Sequence, residues 1–205
     1  MQANTVVVLD FETSGMSPDY GDRAIEIGAV KMQDGVIVDE FQSLMNPGFR
    51  VNGFIENFTG IDNAMLESAP NCAQVMQDFH RFLGGANMVA HNASFDKRFL
   101  DAEFKQIKAG YAGKFACSML LARRIYQEAP NHKLGTLVDY RNIKHEGVFH
   151  RALADAQMTA KLWLAMLDDV GERYQCWDAS FSFIEKVSRA PKKSVGKLLS
   201  DFSAR

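Results

Sequence analysis

Four carboxylates and one histidine in this chain have types and spacings that can do chemistry. Asp10 and Glu12 stand two residues apart in the run Val6-Val7-Val8-Leu9-Asp10-Phe11-Glu12-Thr13-Ser14-Gly15. Its β-branched start favours a strand, in which alternation sends both acids to one side. Two like charges on one face of a buried strand are costly unless a cation neutralises them. The plainer alternative is that the strand has already ended and both acids are solvated. Asp96, in His91-Asn92-Ala93-Ser94-Phe95-Asp96, follows a short apolar run and opens a helix, where an acid also serves the helix N-terminus. Asp155, in His150-Arg151-Ala152-Leu153-Ala154-Asp155-Ala156, is flanked by alanines on an otherwise apolar helix. Small neighbours let such a helix approach a sheet, and a carboxylate held there needs a partner or a metal. His150 ends the preceding polar loop, either as an exposed histidine or placed to swing toward a substrate beside Asp155.

Each residue alone has a structural explanation; the combination points to chemistry. Hard oxygen ligands without thiolates or several histidines suit Mg²⁺ or Mn²⁺ and not zinc. Two such ions about 4 Å apart are the usual arrangement for displacement at phosphorus.

The elements that must bring these residues together follow from periodicity. Residues 24–32 alternate as a second strand, Asp34-Gly35 marks a hairpin, and 36–44 form a third strand that Asn46-Pro47-Gly48 stops. Single helical turns are expected around residues 55–58 and 63–66. Residues 74–83 carry a helical apolar face, 87–90 form a short buried strand, and a helix opens within the Asp96 motif. A further strand spans 114–118, and helices span 119–126 and 134–140. After a polar loop at 141–149, a long helix begins at His150 or Arg151 and ends near Tyr174. Hairpin-joined strands followed by alternating strands and helices predict an α/β protein with a mixed sheet.

From Phe181 onward the composition turns basic, with Lys186, Arg189, Lys192, Lys193, Lys197 and Arg205. Pro191-Lys192-Lys193 reads as a hinge before a small amphipathic helix built on Val195, Leu198, Leu199 and Phe202. This segment is either a cap with a solvated basic side or a contact for a partner or nucleic acid.

The 205 residues fit one domain, or one domain with a short appendage, and 47% hydrophobic and 23% charged content is that of an ordinary globular protein. No apolar stretch reaches membrane-spanning length, and Met1-Gln2-Ala3-Asn4 lacks a basic region with an apolar core, which argues against export. Cys72, Cys117 and Cys176 lack zinc-ligand spacing and read as reduced residues of a cytoplasmic protein. A net charge of −2 argues against a protein that coats nucleic acid electrostatically, though not against an enzyme that grips one strand end.

Together the three motifs around Asp10/Glu12, Asp96 and Asp155 resemble those of the DEDD exonuclease superfamily in its histidine-bearing branch, which includes the proofreading epsilon subunit of DNA polymerase III, RNase T and oligoribonuclease. The resemblance covers about residues 5–170, with Ile25-Glu26-Ile27-Gly28-Ala29-Val30 similar to the family's second strand. It implies a ribonuclease H-like fold, a mixed five-stranded sheet with helices on both faces. It also implies 3′→5′ hydrolysis of single-stranded DNA or RNA ends to nucleoside 5′-monophosphates. Residues 1–175 would form the exonuclease domain, with 176–205 a basic helical segment packed on or flanking it.

By the same resemblance, Asp10, Glu12, Asp96 and Asp155 would hold two Mg²⁺ or Mn²⁺ ions and His150 would act as general base. Phe11, Thr13, Ser14, Phe58, Thr59 and His91 occupy positions that would touch substrate. Thr59 stands where the family's apolar-His-Gly-Ile segment has its histidine, so a substrate contact is altered. Phe58 could stack on a base or fill the core, whereas Phe95 is expected in the core. DNA is favoured over RNA on motif wording. Homodimers occur among relatives, and polymerase association is an expectation for which no Gln-led clamp-binding peptide is found near the C-terminus. The competing class is a non-catalytic nucleic-acid-binding domain on the same fold. Such a domain would tolerate loss of some of the five site residues, and all five are present.

Overall fold

A computed structural model describes residues 1–144 and 151–204. Its centre is strand β1 (Val6–Thr13), buried over most of its length and flanked on both sides by strands. β2 (Ala24–Gln33) pairs with β1 antiparallel, and β3 (Val36–Leu44) pairs with β2. The β2–β3 turn places Asp34 at φ 51° and Gly35 at φ 80°, the two left-handed conformations that a tight hairpin matched to strand twist requires. On the other side β4 (Met88–Ala90) joins β1 in parallel, and β5 (Phe115–Cys117) joins β4 in parallel. The order is β3-β2-β1-β4-β5, the expected mixed five-stranded sheet.

Strand alternation divides the core in two. Val7, Leu9 and Phe11 pack with α3 (Cys72–Leu83) and α4 (Ser94–Gln106). Val6 and Val8 pack with α5 (Ser118–Ile125) and α7 (Ala152–Tyr174), so both faces are covered. Trp163 of α7 is fully buried at this second face and donates its indole N–H to the Ala3 carbonyl at 2.8 Å. A short helix α6 (Leu134–Tyr140) follows α5.

β1 runs on through both acids to Thr13, as strand alternation implies, so neither is a loop residue. Two other stretches differ from the sequence expectation. The expected single turns are complete short helices, α1 (Gly53–Thr59) and α2 (Asn63–Ser68), begun by side-chain caps from Asn52 and Asp62. An unanticipated helix, α8 (Phe181–Arg189), begins at a Ser180 cap and precedes α9 (Val195–Ser203). Phe181, Ile184, Val187, Val195 and Leu199 complete the hydrophobic cluster around Trp163. Lys186, Arg189, Lys192, Lys193 and Lys197 remain exposed. Among the described residues no helix is long and apolar enough to cross a membrane.

Candidate active site

The site is assembled by three elements around the C-terminal half of β1. Alternation sends the Phe11 ring into the cluster with α4 and turns Asp10 and Glu12 toward α7. Asp155 lies in the first turn of α7 and is 9% exposed. One ligand oxygen from each of Asp10, Glu12 and Asp155 can be chosen so that all lie within 4.8 Å of one another. Asp96 enters from the other face, in the first turn of α4 and 2% exposed. It accepts a hydrogen bond from the Phe11 amide, at 3.1 Å.

Why α7 comes so close is visible on β2. Gly28 pairs in register with Asp10, and a Cβ there would overlap the backbone of Ala152 and Leu153. The absent side chain admits the start of the helix. The expectation that small residues permit this approach placed them on the helix; the sheet supplies one as well. Periodicity could not find it, because a strand glycine has several possible reasons.

Crowding and burial act on these acids in the same direction. Burial, then Asp96, Asp155, Glu12 and Glu26, raises the Asp10 carboxyl well above the usual carboxylate range. Glu12 is pushed up to about 8 by burial, then by Asp155, Glu26 and Asp96, while Arg151 pulls it down. Asp96 is raised to about 7 by burial, against the lowering effect of the Phe11 amide. Carboxylates held this way bind protons in place of a cation, and a divalent ion between them offsets both their burial and their mutual repulsion. The donor set of hard oxygens fits such an ion.

The expected substrate residues fare differently. The Thr13 hydroxyl donates to the Gly15 carbonyl at 2.7 Å, and Ser14 Oγ accepts the Arg23 amide at 2.9 Å, so both shape the turn after β1. Thr59, 4% exposed, donates to Ile55 O at 2.9 Å and accepts the Ile61 amide at 3.1 Å, closing α1. His91 is held at both ring nitrogens, by Ser118 Oγ and the His132 carbonyl, each at 2.9 Å. The carbonyl can only accept, so Nε2 carries the proton and Nδ1 accepts from Ser118. Burial lowers its pKa to about 4, which keeps the ring neutral. The polar atoms of these four side chains and the ring of Phe11 are thus engaged within the protein. Phe58 differs, being 51% exposed and stacked on Phe54 at 6.0 Å with 9° between rings. Phe95 packs on Phe99 at 5.0 Å, as expected for the core. His150 lies outside the described residues, immediately before Arg151.

Comparison with known proteins places this geometry. Residues 7–163 match the RNase T family model, described as exonuclease. A PolC-type DNA polymerase III of Caldanaerobacter subterraneus subsp. tengcongensis is 39% identical over 168 residues, covering 81% of this chain and 12% of the polymerase. The corresponding Bacillus subtilis protein is 38% identical over 178 residues, covering 84% and 12%. The chain thus spans about 12% of the length of the curated relatives it matches. Among solved structures, exonuclease X in complex with 5′ overhanging duplex DNA superposes with a TM-score of 0.72 at 25% identity, covering 89% of this chain and 98% of that one. The nuclease domain of 3′hExo, bound to rAMP, gives 0.69 at 19% identity over 82% and 93%, which speaks for the ribonuclease H-like fold alone. Together with the acid cluster on β1, α4 and α7, these matches establish that the chain belongs to the RNase T exonuclease family.

Proposed function

We propose that the chain is a metal-dependent 3′→5′ exonuclease that removes nucleoside 5′-monophosphates from single-stranded ends, DNA before RNA. The observation that carries this is the convergence of Asp10, Glu12 and Asp155 within 4.8 Å, with Asp96 hydrogen-bonded to the backbone between the two strand acids. Asp10, Glu12 and Asp155 would hold one Mg²⁺ or Mn²⁺ ion, and Asp10 with Asp96 would serve a second. When bound, two such ions lower the pKa of the attacking water and stabilise charge on the departing 3′ oxygen. The chain's own contribution is fixed geometry: the acids sit on a central strand and two helix starts, all braced by core. His150, one residue before Arg151, is proposed to take the proton from the water, as the motif order implies.

The preference for DNA rests on the similarity to PolC-type DNA polymerases, and association with a polymerase is proposed on the same ground. A cytoplasmic setting is proposed with it, in keeping with three free cysteines among the described residues. The proposal takes residues 1–175 as the exonuclease domain and 176–205 as a helical segment packed on it. The apolar sides of α8 and α9 in the Trp163 cluster support that division. A homodimer, suggested by the resemblance, is read directly by light scattering.

The test is release of mononucleotides from matched DNA and RNA oligonucleotides, labelled at the 5′ or 3′ end, with Mn²⁺ or with chelator. The expected result is stepwise shortening from the 3′ end, faster on DNA, abolished by chelator and by Asp10→Ala. Equal rates for wild type and Asp10→Ala would overturn the reading, and faster RNA trimming would replace the substrate assignment.

A further inference from the structure

Glu26 of β2 stands opposite Glu12 in the strand register and has none of its surface exposed. Both of its carboxylate oxygens are partnered. Oε1 accepts from an Arg151 terminal nitrogen and from Gln42 Nε2, both at 2.9 Å. Oε2 accepts from Arg151 Nε at 3.2 Å and from the Ala152 amide at 3.1 Å. A carboxylate so supplied with donors has no remaining call for a metal.

What it grips is the start of α7. Arg151, at the N-cap position, gives that helix no side-chain cap of its own. Glu26 supplies one from the sheet by taking the first helical N–H. The Arg151 carbonyl accepts the Asp155 amide at 3.0 Å, so the gripped residue and the cluster acid share one helical turn. The rest of α7 is anchored separately by a long buried face that includes Trp163. Loss of the grip therefore acts on the first turn before it acts on the fold.

We propose that Glu26 and Arg151 form a positioning pair that sets the Asp155 carboxylate for the cation, though neither touches it; this rests on the metal-dependent reading above. Residues that orient a ligand without binding the ion typically govern metal affinity by about 10–100-fold. The tolerance on ligand positions is only about 0.2 Å, so a small shift of one helical turn is enough.

The experiment measures Mn²⁺ binding without nucleic acid, by electron paramagnetic resonance of the free ion, alongside thermal melting and oligonucleotide kinetics. Wild type, Glu26→Gln, Arg151→Gln and Arg151→Lys are compared well below their melting temperatures. The pair predicts Mn²⁺ affinity weakened about 10–100-fold in both Gln variants, partly restored by Arg151→Lys. It also predicts kcat reduced at saturating strand, KM unchanged, and part of the rate recovered at high Mn²⁺. Wild-type Mn²⁺ affinity in either Gln variant overturns the proposal, including the case of a lowered melting temperature alone. Weakening by Glu26→Gln but not Arg151→Gln also overturns it, since the Glu26 charge would then act through its field. If Glu26→Gln fails to fold, the two Arg151 variants decide the matter, their side chain being 39% exposed at the outer edge of the pair. Failure of wild type to bind Mn²⁺ would instead overturn the exonuclease reading itself.

Discussion

The amide of Phe11 donates to the Asp96 carboxylate at 3.1 Å, so the residue between Asp10 and Glu12 ties the second motif to the first. Its ring goes the opposite way, into the cluster with Phe99 and Phe104. One residue thus fixes α4 against β1 by packing and by a hydrogen bond, and the bond ends on a cluster acid.

That double role separates two substitutions at position 96. Asp96→Asn keeps an oxygen for the Phe11 amide while removing a crowded charge, so stability should hold or rise. Asp96→Ala leaves a buried N–H without a partner, which costs about 1–3 kcal/mol. Both should lose activity by about 10²-fold or more, the scale for removing one charge-stabilising group from an active site. Urea denaturation beside oligonucleotide turnover checks this; equal stability of the two variants would contradict the assigned bond.

The raised carboxyl groups give the metal-free protein a definite pH response. Glu12 near 8 and Asp96 near 7 bind protons in the folded chain that the unfolded chain has already released. Their contribution is therefore favourable at low pH and is lost as pH rises through those values. His91, lowered to about 4, works the other way, but only below its unfolded value of 6.5. Between about pH 6.5 and 8.5, among the described residues, the shifted carboxylates dominate, given these shifts and the ordinary histidine value. The melting temperature in chelator should fall across that window, and Mn²⁺ should raise it more at pH 8.5 than at 6.5. A flat profile in chelator would show that the acids are not crowded as described.

Much of this was legible in the sequence for a physical reason. Asp10, Glu12, Asp96 and Asp155 declare themselves because charged side chains beside apolar runs conflict with burial unless a function resolves the conflict. The five strands declare themselves through alternation, β-branched residues and Asp34-Gly35. The roles of Glu26, Gly28, Ser14 and His91 were hidden because each is set by a partner distant in sequence: Arg151, Leu153, Arg23 and His132. Helix α8 is hard to read from sequence because its basic composition masks the spacing of Phe181, Ile184 and Val187.

Gly28 offers a test of how closely the helix must approach. Gly28→Ala places a methyl group against the backbone of Ala152 and Leu153, which cannot rotate away. Overpacking of this kind costs about 1–3 kcal/mol. The start of α7 must then lift from the strand that carries Asp10 in register, so turnover should fall more steeply than stability. Denaturation and single-turnover cleavage at saturating metal read the two effects. Wild-type turnover in a destabilised Gly28→Ala protein would mean that the acid cluster tolerates displacement of its helix.

The Phe54–Phe58 stack supplies the last prediction, about where the strand lies. Phe54 and Phe58, 73% and 51% exposed, stack in parallel on α1 and offer apolar aromatic surface of the kind a nucleobase packs on. Stacking of one base on an aromatic side chain is worth about 1–3 kcal/mol. Phe58→Ala should therefore raise KM for a single-stranded oligonucleotide roughly 5- to 150-fold, with kcat little changed. Surface substitutions of this type usually alter stability by no more than about 0.5 kcal/mol, so the melting temperature should hardly move. A substrate lacking the terminal base supplies the control, because it has nothing to stack. On it, wild type and Phe58→Ala should show the same KM. If KM differs equally with and without the base, the aromatic pair acts on the backbone path or on α1 itself and not by stacking.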